Sequence, residues 1–265
     1  EPEKSKIEMV NVNPNMAYHI DPNTTLAFGL DYYQVKDLTF NTQAINIDGD
    51  GDGIGWNVGL MHKTGPVTVG ISYRSEVKTD ITGSVSTSST NSTGATTSLT
   101  FPSIFQIGAR YQINNNLALE FDIDRTGWNS FGELTITHST TGVPAPISSK
   151  NNWEASYAYR LGGTFQINRP LQLRFGYSAD KTPQGNFFSA RVPDSDRQIY
   201  SIGLEYAIGN WSIEGAYMLA INDDRTVNSQ KGFLQNGGEA NGSNLYNGTY
   251  KSEINLIGLG ATFKF

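Results

Sequence analysis

The sequence contains no cysteine, which excludes a disulfide framework and all thiol-based chemistry. It also lacks any run of about 18 apolar residues, so no helix is available to cross a membrane. Histidine is scarce: with only His19, His62 and His138, and no evident Ser or Asp partner for them, a hydrolytic site is not expected. The 28 glycines form no cofactor motif and read as strand glycines, so neither a cofactor nor an enzymatic activity is expected. Basic residues are outnumbered, 19 Lys and Arg against 25 Asp and Glu, for a net charge of -6, which argues against nucleic acid as a partner. Helical periodicity is nearly absent.

What the chain does have is alternation. Ser252 to Phe265 reads S-E-I-N-L-I-G-L-G-A-T-F-K-F, placing Ile257, Leu259, Ala261, Phe263 and Phe265 on one face and small or polar residues on the other. Similar stretches recur along all 265 residues. The first ends in Met16–Ile20 and turns at Asp21–Thr24 into Leu26–Phe40. After a polar loop, Asn41–Gly53, come Trp56–Lys63, a turn at Thr64–Pro66, and Val67–Ile81. A Ser/Thr/Gly-rich loop to Thr100 precedes Phe105–Ile113, a turn at Asn114–Asn116, and Leu117–Ile136. Beyond the loop His138–Asn152 run Trp153–Ile167, a turn at Asn168–Pro170, and Leu171–Ala179. The loop Asp180–Asp196 leads to Ile199–Ile208, a turn at Gly209–Asn210, and Trp211–Ala220. The longest loop, Asn222–Tyr250, precedes the final strand.

About eleven strands with strictly alternating short turns and long loops predict a single antiparallel, up-and-down transmembrane β-barrel over residues 1–265, in a bacterial outer membrane. The mean hydropathy of -0.38 is compatible, since only alternate residues of such strands meet lipid. In Val67–Ile81 the apolar set Val67, Val69, Ile71, Tyr73, Val77 and Ile81 is expected to face lipid. Arg74, Glu76, Lys78 and Asp80 are then expected to face the lumen, because Lys or Arg at mid-bilayer costs about 2–4 kcal/mol. Trp56, Trp153, Trp211, Tyr111, Tyr206 and Tyr217 lie near strand ends, where amphipathic rings suit the headgroup level. With Phe265 on the periplasmic side, an odd strand count puts the start of the first strand outside the cell. At least one N-terminal strand is therefore expected to be missing, and it would pair with Ser252–Phe265, since open edges are not tolerated in lipid.

Candidate binding groups follow from the same layout. Phe101, Phe187, Phe188, Val192, Phe233 and Leu234 are apolar residues in otherwise polar outer loops and could form a slot for an acyl chain, each methylene contributing about 0.8 kcal/mol. Arg74, Lys78, Arg110, Arg160 and Arg174 are lumen-facing candidates for a ligand carboxylate; the competing expectation is pairing with Glu76, Asp80, Glu120, Asp122 or Glu154 across strands. Asp48-Gly49-Asp50-Gly51-Asp52-Gly53 has the alternating carboxylates of a calcium loop, but the twelfth position is Gly59 rather than Glu, so a flexible acidic turn is the simpler expectation and no metal is assigned. Pro193-Asp194-Ser195-Asp196-Arg197 is expected to tie its loop to the barrel rim by Asp–Arg hydrogen bonds.

The segments Gly55–Leu60, Ile71–Asp80, Leu99–Pro102, Thr126–Phe131 and Val192–Arg197 resemble the FadL family of outer-membrane transporters for long-chain fatty acids and hydrocarbons, in order and over essentially the whole chain. The resemblance implies a fourteen-stranded barrel plugged by an N-terminal hatch, of which this chain would hold the last eleven strands, without the hatch and first strands. It further implies passive transport of long-chain fatty acids or other hydrophobic molecules captured at the outer loops, with outer-membrane lipid as surroundings. The C-terminal Phe265 resembles the assembly signal read by the barrel-assembly machinery. A surface-recognition or adhesion barrel and a general porin are the alternative functions.

Overall fold

A computed structural model describes residues 2–42, 45–87, 90–143, 145–185, 193–230 and 244–264. The strands are β1 (Pro2–Val12), β2 (Asn15–Asp21), β3 (Thr24–Thr42), β4 (Ile45–Thr64), β5 (Val67–Arg74), β6 (Val77–Thr87), β7 (Thr90–Phe101), β8 (Ile104–Gln112) and β9 (Leu117–Thr126). They continue with β10 (Glu133–His138), β11 (Ile147–Lys150), β12 (Ser156–Asn168), β13 (Leu171–Asp180), β14 (Arg197–Ile208), β15 (Trp211–Asn222), β16 (Arg225–Val227), β17 (Gly248–Tyr250) and β18 (Glu253–Phe263). All pairings among the described residues are antiparallel, and once interrupted strands are joined end to end each long wall strand pairs with its neighbours in the chain, as in an up-and-down meander. β1 and β2 follow one another along β3, and β5 and β6 along β4. The pairs β7/β8, β9/β10 and β11/β12 continue that pattern as interrupted single strands, so the wall formed by the described residues has about eleven strands, as the alternation predicts. Among the described residues β18 pairs only with β15, and the sheet is open at its two edges.

The five short turns form where Asp, Asn, Gly and Pro predict them. Asp21 Oδ1 accepts from Asn23 N–H at 2.7 Å, Asn114 Oδ1 from Asn116 and Leu117 N–H, and Asn168 Oδ1 from Leu171 N–H at 3.1 Å. These are side-chain turns that any Asx residue favours. Gly65 and Gly209 take positive φ of 55° and 56°, which a Cβ would disfavour.

Above the opposite rim the structure departs from the alternation reading. The described residues of Asn41–Gly53 and of the Ser/Thr/Gly-rich stretch to Thr100 are not loops but extensions of β3, β4, β6 and β7. At 20 residues, β4 is about twice the length that a bilayer needs. Its outward face changes character along a single straight strand: Asp48, Asp50 and Asp52 are exposed, and then Ile54, Trp56, Val58 and Leu60 follow, also exposed. An apolar band of this kind is stable against lipid, so the water boundary lies between Asp52 and Ile54.

β5 and β6 cross that boundary with one extra residue. Asn57 is opposite Arg74 and Asp52 opposite Asp80, so five steps on β4 face six on its partner. The bulge is held at Ser75, which exchanges hydrogen bonds with the Trp56 backbone at 2.9 and 3.0 Å. A one-residue bulge exchanges the two faces. Below it Ile71 and Tyr73 point outward, and above it Lys78 and Asp80 do. Val77, Ile81 and Val85 turn inward and are buried. β3 carries a second shift between Val35 and Leu38.

The extended wall thus becomes a collar with polar outer and apolar inner faces. Ile47, Val85, Ala95 and Ile136 form its core, with Phe40, Ile45 and Ile147 packed against it. The alternating glycines permit the tight curl: a Cβ at Gly51 would lie 2.1 Å from the Asp80 carbonyl oxygen, and one at Gly83 would lie 1.9 Å from that of Asp48.

Candidate functional site

Below the collar, the lumen-facing set consists of paired charges. Arg110 is opposite Glu120 in the ladder and bonded to it at 3.0 Å. Arg160 is opposite Asp122 but reaches diagonally to Asp124. Arg174 bridges Glu205 and, at 3.3 Å, Glu214 on the next strand. Arg197 is opposite Asp180, 3.5 Å away. Cross-strand and diagonal neighbours are within reach of long side chains, so pairing across strands satisfies each cation without a ligand. The fifth pair is different in kind. Arg74 contacts Asp31 at 3.2 Å, and Asp31 is 0% exposed and also accepts from Asn11 and Asn57 side-chain amides. Asp31 carries no sequence signal beyond its place in an alternating strand, because its partners Asn11, Asn57 and Arg74 come from three other strands.

At the outer end of β9, β12 and β13 these pairs border a cavity of about 340 Å³ lined by Asp124, Trp128, Trp153, Arg160, Asp180 and Arg197, among others. Gly127 opens a 3-10 turn at Trp128–Ser130 that interrupts the wall. It brings Trp128 and Phe131 edge-on to Trp153, with centroids 5.2 and 5.0 Å apart, a geometry favoured by the ring quadrupoles. The Trp153 indole nitrogen is buried with no hydrogen-bond partner among the described residues.

Over the cavity stand the two described arms of the Asp180–Asp196 loop. Lys181 meets Asp196 at 2.5 Å, Thr182 N–H donates to Asp196 at 2.9 Å, and Thr182 Oγ1 donates to Asp194 at 2.6 Å. Arg197 reaches Asp194 at 3.5 Å, so the P-D-S-D-R segment joins loop and rim. Arg225 on β16 donates to the Gln184, Gly185 and Asp194 carbonyls at 3.2, 2.6 and 2.8 Å, tying the loop to its neighbour.

Burial pushes the Asp196 carboxyl upward, but the hydrogen bonds from Lys181 and Thr182 and the Lys181 charge outweigh it and hold the group below its ordinary 3.8. The Lys181 ammonium is raised above 10.5, chiefly by its hydrogen bond to Asp196. A depressed carboxyl stabilises above its unfolded value and loses that contribution as pH falls through the folded value; a raised amine loses its contribution as pH rises through its folded value. The loop tie is therefore expected to hold across neutral pH and to release below about 3.8 and above about 10.5. Protease nicking of the Asp180–Asp196 loop, compared between wild type and Asp196→Asn over an acid series, checks this: wild type should converge on the variant only at the acid end.

The other sequence-predicted groups are placed as follows. Lys78 does not face the lumen: the bulge at Ser75–Glu76 turns it outward above the boundary, where it pairs with Asp80 at 3.1 Å. Asp48, Asp50 and Asp52 do not form a turn. As alternate strand residues on one face they are spaced by about 6.8 Å, too far apart to converge, and no group of three metal-ligating residues occurs among the described residues. Phe101 is not in a loop but ends β7 and packs on Tyr33, centroids 5.1 Å apart. Trp153 is turned into the aromatic cluster rather than outward at a headgroup belt. Phe187, Phe188, Val192, Phe233, Leu234 and Phe265 lie outside the described residues.

Residues 2–265 match the model of a protein family described as outer membrane protein transport protein (OMPP1/FadL/TodX). Among curated relatives, outer membrane protein P1 of Haemophilus influenzae is 24% identical over 229 residues, covering 80% of this chain and 47% of its own length. The long-chain fatty acid transport protein of Escherichia coli is 27% identical over 185 residues, covering 63% and 41%. The chain thus spans about half the length of the curated relatives it matches. A Pseudomonas aeruginosa FadL homologue superposes with a TM-score of 0.74 at 16% identity, over 97% of this chain and 67% of that one. The Ralstonia pickettii toluene transporter TbuX does so at 0.68 and 16%, over 98% and 68%. These two solved structures share the barrel fold.

Proposed function

Because the chain belongs to the OMPP1/FadL/TodX family of outer membrane transport proteins, we propose that it forms wall and collar of a passive transporter for hydrophobic small molecules, long-chain fatty acids or hydrocarbons. The observation that carries this reading is the cavity above the lumen, lined by Trp128 and Trp153 together with the ion pairs of Arg160 and Arg197. Such a site accepts an apolar body from the outer side, and burial of that body supplies the affinity at about 0.8 kcal/mol per methylene. No step of chemistry is involved: the ligand moves down its gradient, and the wall supplies a path past the polar outer surface. Uptake of labelled oleate and labelled toluene by cells carrying the full-length gene, against an isogenic deletion, tests the proposal. Faster uptake of at least one compound with the gene is expected, and equal rates for both would reject transport.

A further inference from the structure

We propose that the cavity takes its ligand uncharged: an apolar body with a hydroxyl or similar neutral head, in preference to a carboxylate anion. This inference rests on the transport reading above and narrows it. Three cations line the cavity, Arg160, Lys181 and Arg197, and three carboxylates line it with them, Asp124, Asp180 and Asp194. Each cation is already engaged: Arg160 with Asp124, Arg197 with Asp180 and Asp194, and Lys181 with Asp196 just outside.

An incoming carboxylate gives up hydration on entering a partly enclosed site and needs an uncompensated positive charge in return. Here it meets neutralised guanidinium groups and the oxygens of the acids that neutralise them. A hydroxyl can both donate to Asp oxygens and accept from the remaining guanidinium N–H groups, so it fits the alternating lining without displacing a pair. The apolar chain contributes equally in both cases; the head alone decides.

Labelled dodecanol and dodecanoate form the matched pair for a test, with full-length protein in lipid nanodiscs and correction for partition into empty discs. At about pH 7 dodecanoate is ionised, since ordinary carboxyls titrate near 4. Wild type is expected to bind dodecanol about tenfold or more tightly than dodecanoate, and acidification through the carboxyl's titration should bring dodecanoate up towards dodecanol. Asp124→Asn releases Arg160 from its ion pair and is expected to lower the dodecanol-over-dodecanoate preference about tenfold at neutral pH. If that variant does not assemble, Asp180→Asn, which weakens the pairing of Arg197, provides the same readout. A wild-type preference for dodecanoate, or an unchanged ratio in the assembled variant, overturns the inference while leaving transport standing. Binding of neither ligand by wild type also overturns the inference, whereas transport stands or falls separately on the oleate and toluene uptake measurement.

Discussion

Replacing Arg74 by alanine is expected to destabilise the full-length protein by about 3–5 kcal/mol, the range seen when one partner of a buried ion pair is removed. The reason lies in Asp31, which is 0% exposed and has its charge compensated by Arg74 at 3.2 Å. Its other contacts, the Asn11 and Asn57 amides at 3.2 and 2.9 Å, are neutral donors that satisfy lone pairs but do not cancel the charge. Denaturant unfolding in detergent, followed by tryptophan fluorescence, gives the measurement. The companion Asp31→Asn removes the orphaned charge, so the double variant should recover most of the loss. A single-variant cost below about 1 kcal/mol, the ceiling for ordinary exposed pairs, would show that Asp31 is hydrated in the assembled protein.

Ile202→Arg carries the second large effect, about 2–4 kcal/mol against insertion at mid-bilayer. Ile202 stands midway along β14, outward and 52% exposed, beside Phe175 in register. Ser201 on the same strand faces the lumen opposite Gly176, and Ser201→Arg should stay within about 0.5 kcal/mol because water solvates the new charge. Adjacent residues thus separate the two faces of the wall. Equal costs for both variants, measured by folding into vesicles, would mean that β14 does not divide lipid from lumen.

Much of the barrel was legible from local rules. Turn chemistry at Asp21, Asn114, Asn168, Gly65 and Gly209 depends on a few neighbouring atoms, and all five turns form where those residues predict. Two-residue alternation through Leu117–Asp124 and Leu171–Ser178 likewise assigns faces correctly, because β9 against β12 and β13 against β14 pair without a shift in that stretch. The collar was not legible. Its Gly-Asp and Ser-Thr alternation resembles loop composition, and the force that makes it a strand is burial of Ile47, Val85 and Ile136 against each other, from segments dozens of residues apart.

Lys78 shows where extrapolation along a strand fails. Its parity with Arg74 is correct in the sequence and wrong in space, because one bulge residue at Ser75–Glu76 exchanges the faces. The carboxylate-binding expectation for Arg110, Arg160 and Arg174 meets a similar limit: which acid neutralises which cation depends on register between strands.

The sequence by itself therefore determined the class of fold, the number of wall strands, the short turns and the polarity of each uninterrupted strand, all of which follow from contacts within a few residues. Only the tertiary structure decided where the wall leaves the membrane between Asp52 and Ile54, which face Lys78 takes, and that Asp31 compensates Arg74. It also decided that the cavity beside Trp128 and Trp153 is lined by neutralised charges. Each of these depends on which residues stand side by side across the sheet, and that placement is set by register, bulges and packing rather than by any stretch of chain alone.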